Sequence, residues 1–176
     1  MNTTHDVGIV MGSDSDLPVM KAAAEILQEF KISHNVQIVS AHRTPDFLHE
    51  YASSVEANGY KVIIAGAGGS AHLPGMIASL TSLPVIGVPI KTSTAEGIDS
   101  LFSIVQMPPG VPVATVSING AKNAGILAAQ ILGISDEATQ KNVSSFKKNM
   151  RDVVLEKSKT LSEQGFRDYL ESNDML

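Results

Sequence analysis

Three short segments hold the side chains best suited to chemistry in this chain. The first is Gly12-Ser13-Asp14-Ser15-Asp16. A turn of small residues leading into a helix exposes backbone N–H groups and the positive end of the helix dipole, which suits an anion. Ser13 and Ser15 add hydroxyl donors, and the Asp16 carboxylate suits a sugar diol. The same residues also suit a plain N-capped turn. The loop is no dinucleotide fingerprint, since Gly-x-Gly-x-x-Gly is missing, and no Walker loop, since no Gly-Lys-Ser/Thr follows.

The second segment is Ser40-Ala41-His42-Arg43-Thr44-Pro45. An arginine just ahead of a helix can pair with phosphate through two parallel N–H bonds. Beside it, His42 is the side chain best suited to moving protons near neutral pH. Without a ligand, the same pair reads as a strand-end histidine and a solvated arginine. The third segment runs from Gly66 to Gly75 and includes Gly68, Gly69, Ser70, Ala71, His72 and Leu73. Its glycines allow close approach to a ligand or a positive φ, and a helix starting near Ala71 would add N–H groups. Such a dry, small-residue surface suits a flat heterocycle, a carboxylate or CO2. It equally permits tight strand–helix packing.

These loops need elements to hold them. Short β-rich runs at Val7–Met11, Val36–Val39, Val62–Ala65, Val85–Val88 and Val113–Val116 alternate with helical patterns. Most are nearly continuous apolar stretches, as in strands buried on both faces of a parallel sheet. Asp16 is placed to cap a helix with Pro18 in its first turn, running to about Phe30. Thr44 and Pro45 open a second helix that ends at Asn58-Gly59, with Phe47, Leu48, Tyr51, Ala52 and Val55 as its apolar stripe. Ile98, Leu101, Phe102 and Val105 form a third stripe, and Ala121 to Leu132 a fourth helix closed by Gly133. The alternation predicts a three-layer α/β/α domain around a five-stranded parallel, flavodoxin-like sheet of order 2-1-3-4-5. In that order the loops after strands 1, 2 and 3 share one crevice, which their separate explanations would not require. We expect residues 1–133 to form the catalytic domain and residues 134–176 a helical extension of it. A helix from Ser135 to about Lys157 carries Val143, Phe146, Met150, Val153 and Val154 on one side. Two readings stand for it: a helix packed on the domain edge, or an arm buried against another subunit.

Composition narrows the classes. The chain has 176 residues, 43% hydrophobic and 5% aromatic, which is room for one domain with an aliphatic core. A net charge of −5 argues against a non-specific nucleic-acid binder but not against one phosphorylated small ligand. Having no cysteine excludes disulfides, thiolate metal sites and thiol catalysis. No signal peptide or bilayer-length apolar run is read, so no membrane partner is expected and the cytoplasm is the default compartment. His5, His34 and His49 lie in the N-terminal arm, a strand and a helix, where surface or packing roles are favoured. No His and carboxylate pair has metal-ligand spacing, and the Gly-x-Ser-x-Gly elbow of serine acyl transfer is missing. The segment Gln106 to Pro112 reads as a rigid, proline-rich connection, at a subunit contact or over a pocket.

Met11 to Asp16, Ser40 to Pro45 and Ala65 to Met76 resemble the three signature loops of the bacterial-type (class I) N5-carboxyaminoimidazole ribonucleotide mutases. Pro84 to Pro89, Asp99 to Leu101, Ser103 to Pro108 and Leu127 to Leu132 resemble later segments of that family, so the likeness covers about Val7 to Leu132. Ser70 stands where many relatives would carry alanine.

The resemblance implies an isomerase of purine (IMP) biosynthesis that moves a carboxylate from the exocyclic nitrogen to ring carbon C4 of the aminoimidazole ribonucleotide. It implies no cofactor, no metal and no ATP. By resemblance, His42 is the general acid and base; Ser13, Asp16 and Arg43 contact the ribose phosphate, with Ser15 and Ser40 as helpers; and Ala67, Gly68, Ala71, His72 and Leu73 line the base or CO2 pocket. The family is octameric, so a homo-oligomer is expected. Relatives that carboxylate aminoimidazole ribonucleotide directly are the nearest alternative, and Thr44, where glycine is expected in them, favours the mutase. A non-catalytic nucleotide-monophosphate sensor would use the phosphate loops without needing His42. A receiver lacks its acidic cluster and strand-end lysine here, and a flavin module its Ser/Thr-rich phosphate loop with flanking aromatics.

Overall fold

Five aliphatic runs pair in parallel. The computed structural model describes residues 5–175. Its strands are β1 (Val7–Met11), β2 (His34–Ile38), β3 (Val62–Gly68), β4 (Val85–Ile90) and β5 (Ala114–Thr115), in the order β2-β1-β3-β4-β5. The helices are α1 (Leu17–Glu29), α2 (Pro45–Ser54), α3 (Leu73–Ala78), α4 (Ile98–Val105), α5 (Ala121–Leu132), α6 (Glu137–Gln164) and α7 (Phe166–Ser172). The expected strand order is the one observed. The register places Met11 beside Ile38 on one side and Gly66 on the other. The chain therefore leaves β1 and β2 at one level, with the glycine-rich end of β3 alongside.

Successive strand residues point to opposite faces, and two cores result. Ile9, Met11, Ile64, Ile86 and Val88 pack with residues of α1 and α5. Val10, Ile63, Ala65 and Val85 pack with residues of α2 and α3 and with Ile104 of α4. Three layers follow. Alanines on α5 let it lie close to α1: a methyl on Gly125 would overlap Ile26 Cγ2 and come 3.0 Å from the Ala23 carbonyl oxygen.

Four expectations need correction. Strand β2 is not buried on both faces: Val36 and Ile38 are exposed, because β2 forms the sheet edge. The α4 stripe of Ile98, Phe102 and Val105 also points outward, with Phe102 56% exposed, while Ser100 and Ile104 face the domain. Residues 100, 103, 104 and 107 keep helical spacing just as the stripe does, so periodicity alone could not choose between the faces. Neither Asp16 nor Thr44 makes a side-chain cap; Ser13 instead caps the 3-10 turn Asp14–Asp16 that leads into α1.

The tail divides its behaviour. Asp136 caps α6 by accepting from the Thr139 N–H at 2.8 Å. Val143 is buried, Phe146 meets Phe30 edge-on at 5.4 Å, and the Asn142 amide donates to the Phe30 carbonyl at 3.1 Å. Beyond them Met150, Val153 and Val154 stand exposed, Val154 by 64%. Helix α6 thus docks by its first turns only, and it runs past the expected end near Lys157 to Gln164. Among the described residues, no helix is long and apolar enough to cross a membrane.

Overpacking a tight helix contact costs about 1–3 kcal/mol. Gly125→Ala should lower the unfolding free energy by about that amount without disturbing the loops at the far end of the sheet. Urea melts of the two proteins measure the difference.

Candidate active site

The loop after β1 is drawn tight by its own side chains. Ser13 Oγ donates to Asp14 Oδ1 at 3.0 Å, and the Ser15 N–H reaches the same carboxylate at 3.1 Å and Ser13 Oγ at 3.4 Å. Ser15 is exposed, whereas Asp16 turns inward and is only 9% exposed. Burial pushes the Asp16 carboxyl above its ordinary value of 3.8. Hydrogen bonds from the Ser13 and Gly12 backbone and the charge of Arg43 offset this only in part.

The loop after β2 is closed by Thr44. Its hydroxyl accepts from the Ser40 N–H at 3.2 Å and donates to the Ser40 carbonyl at 3.0 Å. Ser40 Oγ in turn accepts from the Arg43 N–H at 3.3 Å and from Arg43 Nε at 3.2 Å. Arg43 Nη2 then crosses to the first loop and donates to the Gly12 carbonyl at 2.8 Å. The guanidinium is thereby aimed across the crevice with much of its donor capacity left over. Gly12, Ser13, Asp14, Ile38, Ser40, Arg43, Thr44 and Phe47 line a cleft of about 290 Å³. Its hydroxyls and guanidinium suit a phosphorylated sugar, and Ile38 and Phe47 give it one apolar wall.

The third loop joins through its histidine. His42 Nε2 lies 2.8 Å from His72 Nδ1, with the rings edge-to-face at 4.9 Å. At this distance one nitrogen carries the proton and the other supplies the lone pair. Ala67, Ala71 and Leu73 bury their side chains in the core, so what they can offer a ligand is main chain. Gly68 is exposed between them. The connection Gln106 to Pro112 lies against this loop's helix: a methyl on Gly75 would come 2.7 Å from Met107 Sδ. His5 stacks near Tyr60 and His34 Nδ1 pairs with the Ile32 carbonyl, so both stay outside the site. His49 is exposed on α2.

Residues 6–153 match the AIR carboxylase family. The chain belongs to the AIR carboxylase family. One relative in it is the N5-carboxyaminoimidazole ribonucleotide mutase of Thermotoga maritima, 64% identical over 168 residues, 96% of this chain and 98% of that protein. The chloroplastic phosphoribosylaminoimidazole carboxylase of Vigna aconitifolia is 54% identical over 95% of this chain, which spans only 30% of that longer protein. The fold also matches the crystal structure of Treponema denticola PurE, with a TM-score of 0.81 and 29% identity over 88% of this chain and 97% of that one.

Two pairs of residues at this candidate site escape sequence reading. Ile38 and Phe47 reach the cleft from an edge strand and a helix whose apolar residues read as core. Ser100 and Ser103 of α4 bind Gly69 in the third loop. They sit on the helix face that the more hydrophobic stripe concealed.

An acid whose folded pKa is raised opposes folding once ionised. For Asp16 that penalty is absent below 3.8, grows as pH rises to the higher folded value, and stays constant above it. Wild-type stability should therefore lose a downward slope in this window when Asp16→Asn is introduced. Urea melts between pH 3.5 and 7 test the slope, and parallel curves for the two proteins would contradict the assignment.

Proposed function

We propose that this chain is a mutase converting N5-carboxyaminoimidazole ribonucleotide to 4-carboxy-5-aminoimidazole ribonucleotide in de novo purine (IMP) biosynthesis. The near full-length likeness to mutases, with the His42–His72 pair standing beside the Arg43 cleft, carries this reading. The ribose phosphate takes the cleft, held by Ser13, Arg43 and Ser40 with Ser15 at its rim, and Asp16 receives the ribose hydroxyls. The aminoimidazole then lies toward Ala67, Gly68, Ala71, His72 and Leu73.

In this pose protonated His42 donates to the exocyclic nitrogen as its bond to the carboxylate carbon breaks, leaving CO2 and the aminoimidazole. Carbon C4 attacks the retained CO2, and neutral His42 removes the C4 proton to restore aromaticity. The proton given is the proton regained, as an isomerisation requires. Holding CO2 against the glycine-rich loop supplies the high effective concentration that diffusion would lose. His72, bonded to His42, selects which imidazole nitrogen carries the proton. No metal or nucleotide triphosphate enters these steps.

Direct carboxylation of aminoimidazole ribonucleotide is the second reading. Thr44 speaks against it, because the hydroxyl that closes the second loop onto Ser40 is one that a glycine there would lack. A nucleotide sensor would leave the paired histidines without a task. The decisive assay supplies N5-carboxyaminoimidazole ribonucleotide without ATP and follows the C4-carboxylated product. Product formed only when aminoimidazole ribonucleotide and bicarbonate are given instead would favour the second reading.

General acid–base catalysis contributes about 10²–10⁴ in rate. His42→Asn should lower kcat by that factor and leave ligand binding measurable by calorimetry. Retention of more than about a tenth of kcat would remove His42 from this role.

We also read the chain as a cytoplasmic homo-octamer, with residues 1–133 as the catalytic body and residues 134–176 as a helical extension that joins subunits. Exposed Met150, Val153 and Val154 on α6, and Ile98, Phe102 and Val105 on α4, support this, since apolar faces of this kind are normally covered. Light scattering at micromolar concentration should give an octamer mass, and a monomer mass would end the reading. Truncation after Ser135 should lower the number of subunits in the particle, and an unchanged number would remove the tail from the assembly.

A further inference from the structure

We infer that Ser100 and Ser103 of α4 are positioning residues that set the His42–His72 pair by clamping the peptide of Gly69; the inference rests on the mutase reading of that pair. Ser100 is 0% exposed. Its hydroxyl donates to the Ile90 carbonyl at 2.7 Å and accepts from the Gly69 N–H at 2.9 Å, so one oxygen ties the end of β4 to the loop after β3. One turn later, Ser103 Oγ lies 2.8 Å from the Asp99 carbonyl and 3.3 Å from the Gly69 carbonyl, and its single proton is shared between the two. Gly69 is thus held firmly at its N–H by Ser100 and more weakly at its carbonyl by Ser103, both from one helix.

The grip falls on a turn with left-handed backbone. Gly69 has φ 67° and Ala71 has φ 39°, a left-handed conformation that alanine adopts only at a cost. The Ala71 N–H bonds back to the Gly68 carbonyl at 3.3 Å, closing the turn. His72 follows at once, and its ring must meet His42 Nε2 at 2.8 Å. Only residues 70 and 71 separate the clamped peptide from the histidine. A rotation at Gly69 therefore carries directly into the position of the His72 ring. Losing the clamp would let the turn relax, part the imidazoles, and leave His42 without the partner that fixes its protonated nitrogen. The phosphate cleft would be spared, because Ser13, Ser40 and Arg43 follow β1 and β2 and share no hydrogen bond with Ser100, Ser103 or Gly69.

The test compares Ser100→Ala, Ser103→Ala and Ser103→Thr in the intact chain. Misplacement of a reacting group by about 1 Å costs about 10² in rate. Ser100→Ala should lower kcat by about 10–100-fold with KM within about threefold. Ser103→Ala should lower it less, and Ser103→Thr, which keeps the hydroxyl, should restore it. Crystal structures of the alanine variants should show the His42–His72 separation beyond hydrogen-bond reach, and amide exchange at Gly69 should quicken. Folded alanine variants with kcat within about twofold of wild type, or with the histidines still paired, would overturn the inference. If Ser100→Ala fails to fold, the exposed Ser103 decides the matter alone. A wild type that does not turn over N5-carboxyaminoimidazole ribonucleotide sinks the mutase reading instead, and the histidine separation and Gly69 exchange still judge the clamp.

Discussion

A parallel sheet gathers the loops that follow its strands at one end, and here the order β2-β1-β3 sets three such loops side by side. Every feature of the site depends on that constraint. With β1 central, its loop is flanked by the loops after β2 and β3, and short side chains suffice to bridge them. Arg43 spans from the second loop to the first, and His42 spans from the second to the third. Had β2 lain at the other edge of the sheet, beyond β5, neither bridge would be within reach. The site is therefore a property of topology before it is a property of any residue.

The bridges are themselves braced. Thr44 fixes Ser40, Ser40 fixes Arg43, and Ser100 and Ser103 fix Gly69. Each brace is a neutral hydroxyl, which suits places where a charge would be costly to bury: Thr44 and Ser100 both donate and accept, Ser40 accepts and Ser103 donates. Asp16 is the exception. Its carboxyl is pushed up by burial against the aid of its neighbours, so the fold bears a cost at this residue of the candidate site. Local instability of this kind is the usual companion of a functional site.

The surfaces beyond the site are less self-sufficient. The edge strand β2, the outer face of α4 and the far length of α6 all present aliphatic or aromatic side chains to solvent. Two of these lie close to the candidate site: Ile38 of β2 lines the cleft, and α4 holds the third loop from its inner face. One helix thus shows Ser100 to the site and Phe102 outward. Whatever covers the outer face would bear directly on the clamp within.

Short-range chemistry made much of this readable from the chain. Aliphatic runs of strand length, the prolines at the starts of α1 and α2, and Gly133 after α5 mark the elements through local backbone preference. The alternation of strand and helix then leaves few topologies, so the crevice and its His42, Arg43 and Ser13 were legible together. What the chain could not declare is direction. Helix α4 offers two faces of equal period, and hydrophobicity points to the one that faces solvent. Asp16 and Thr44 have the composition of caps, yet burial and the nearness of Ser40 turn them to other partners. The pairing of His42 with His72 spans 30 residues, and the grip of Ser100 on Gly69 spans 31. Such contacts have no local signature, because a side chain's partner is set by which strands lie adjacent, and only the folded sheet fixes that.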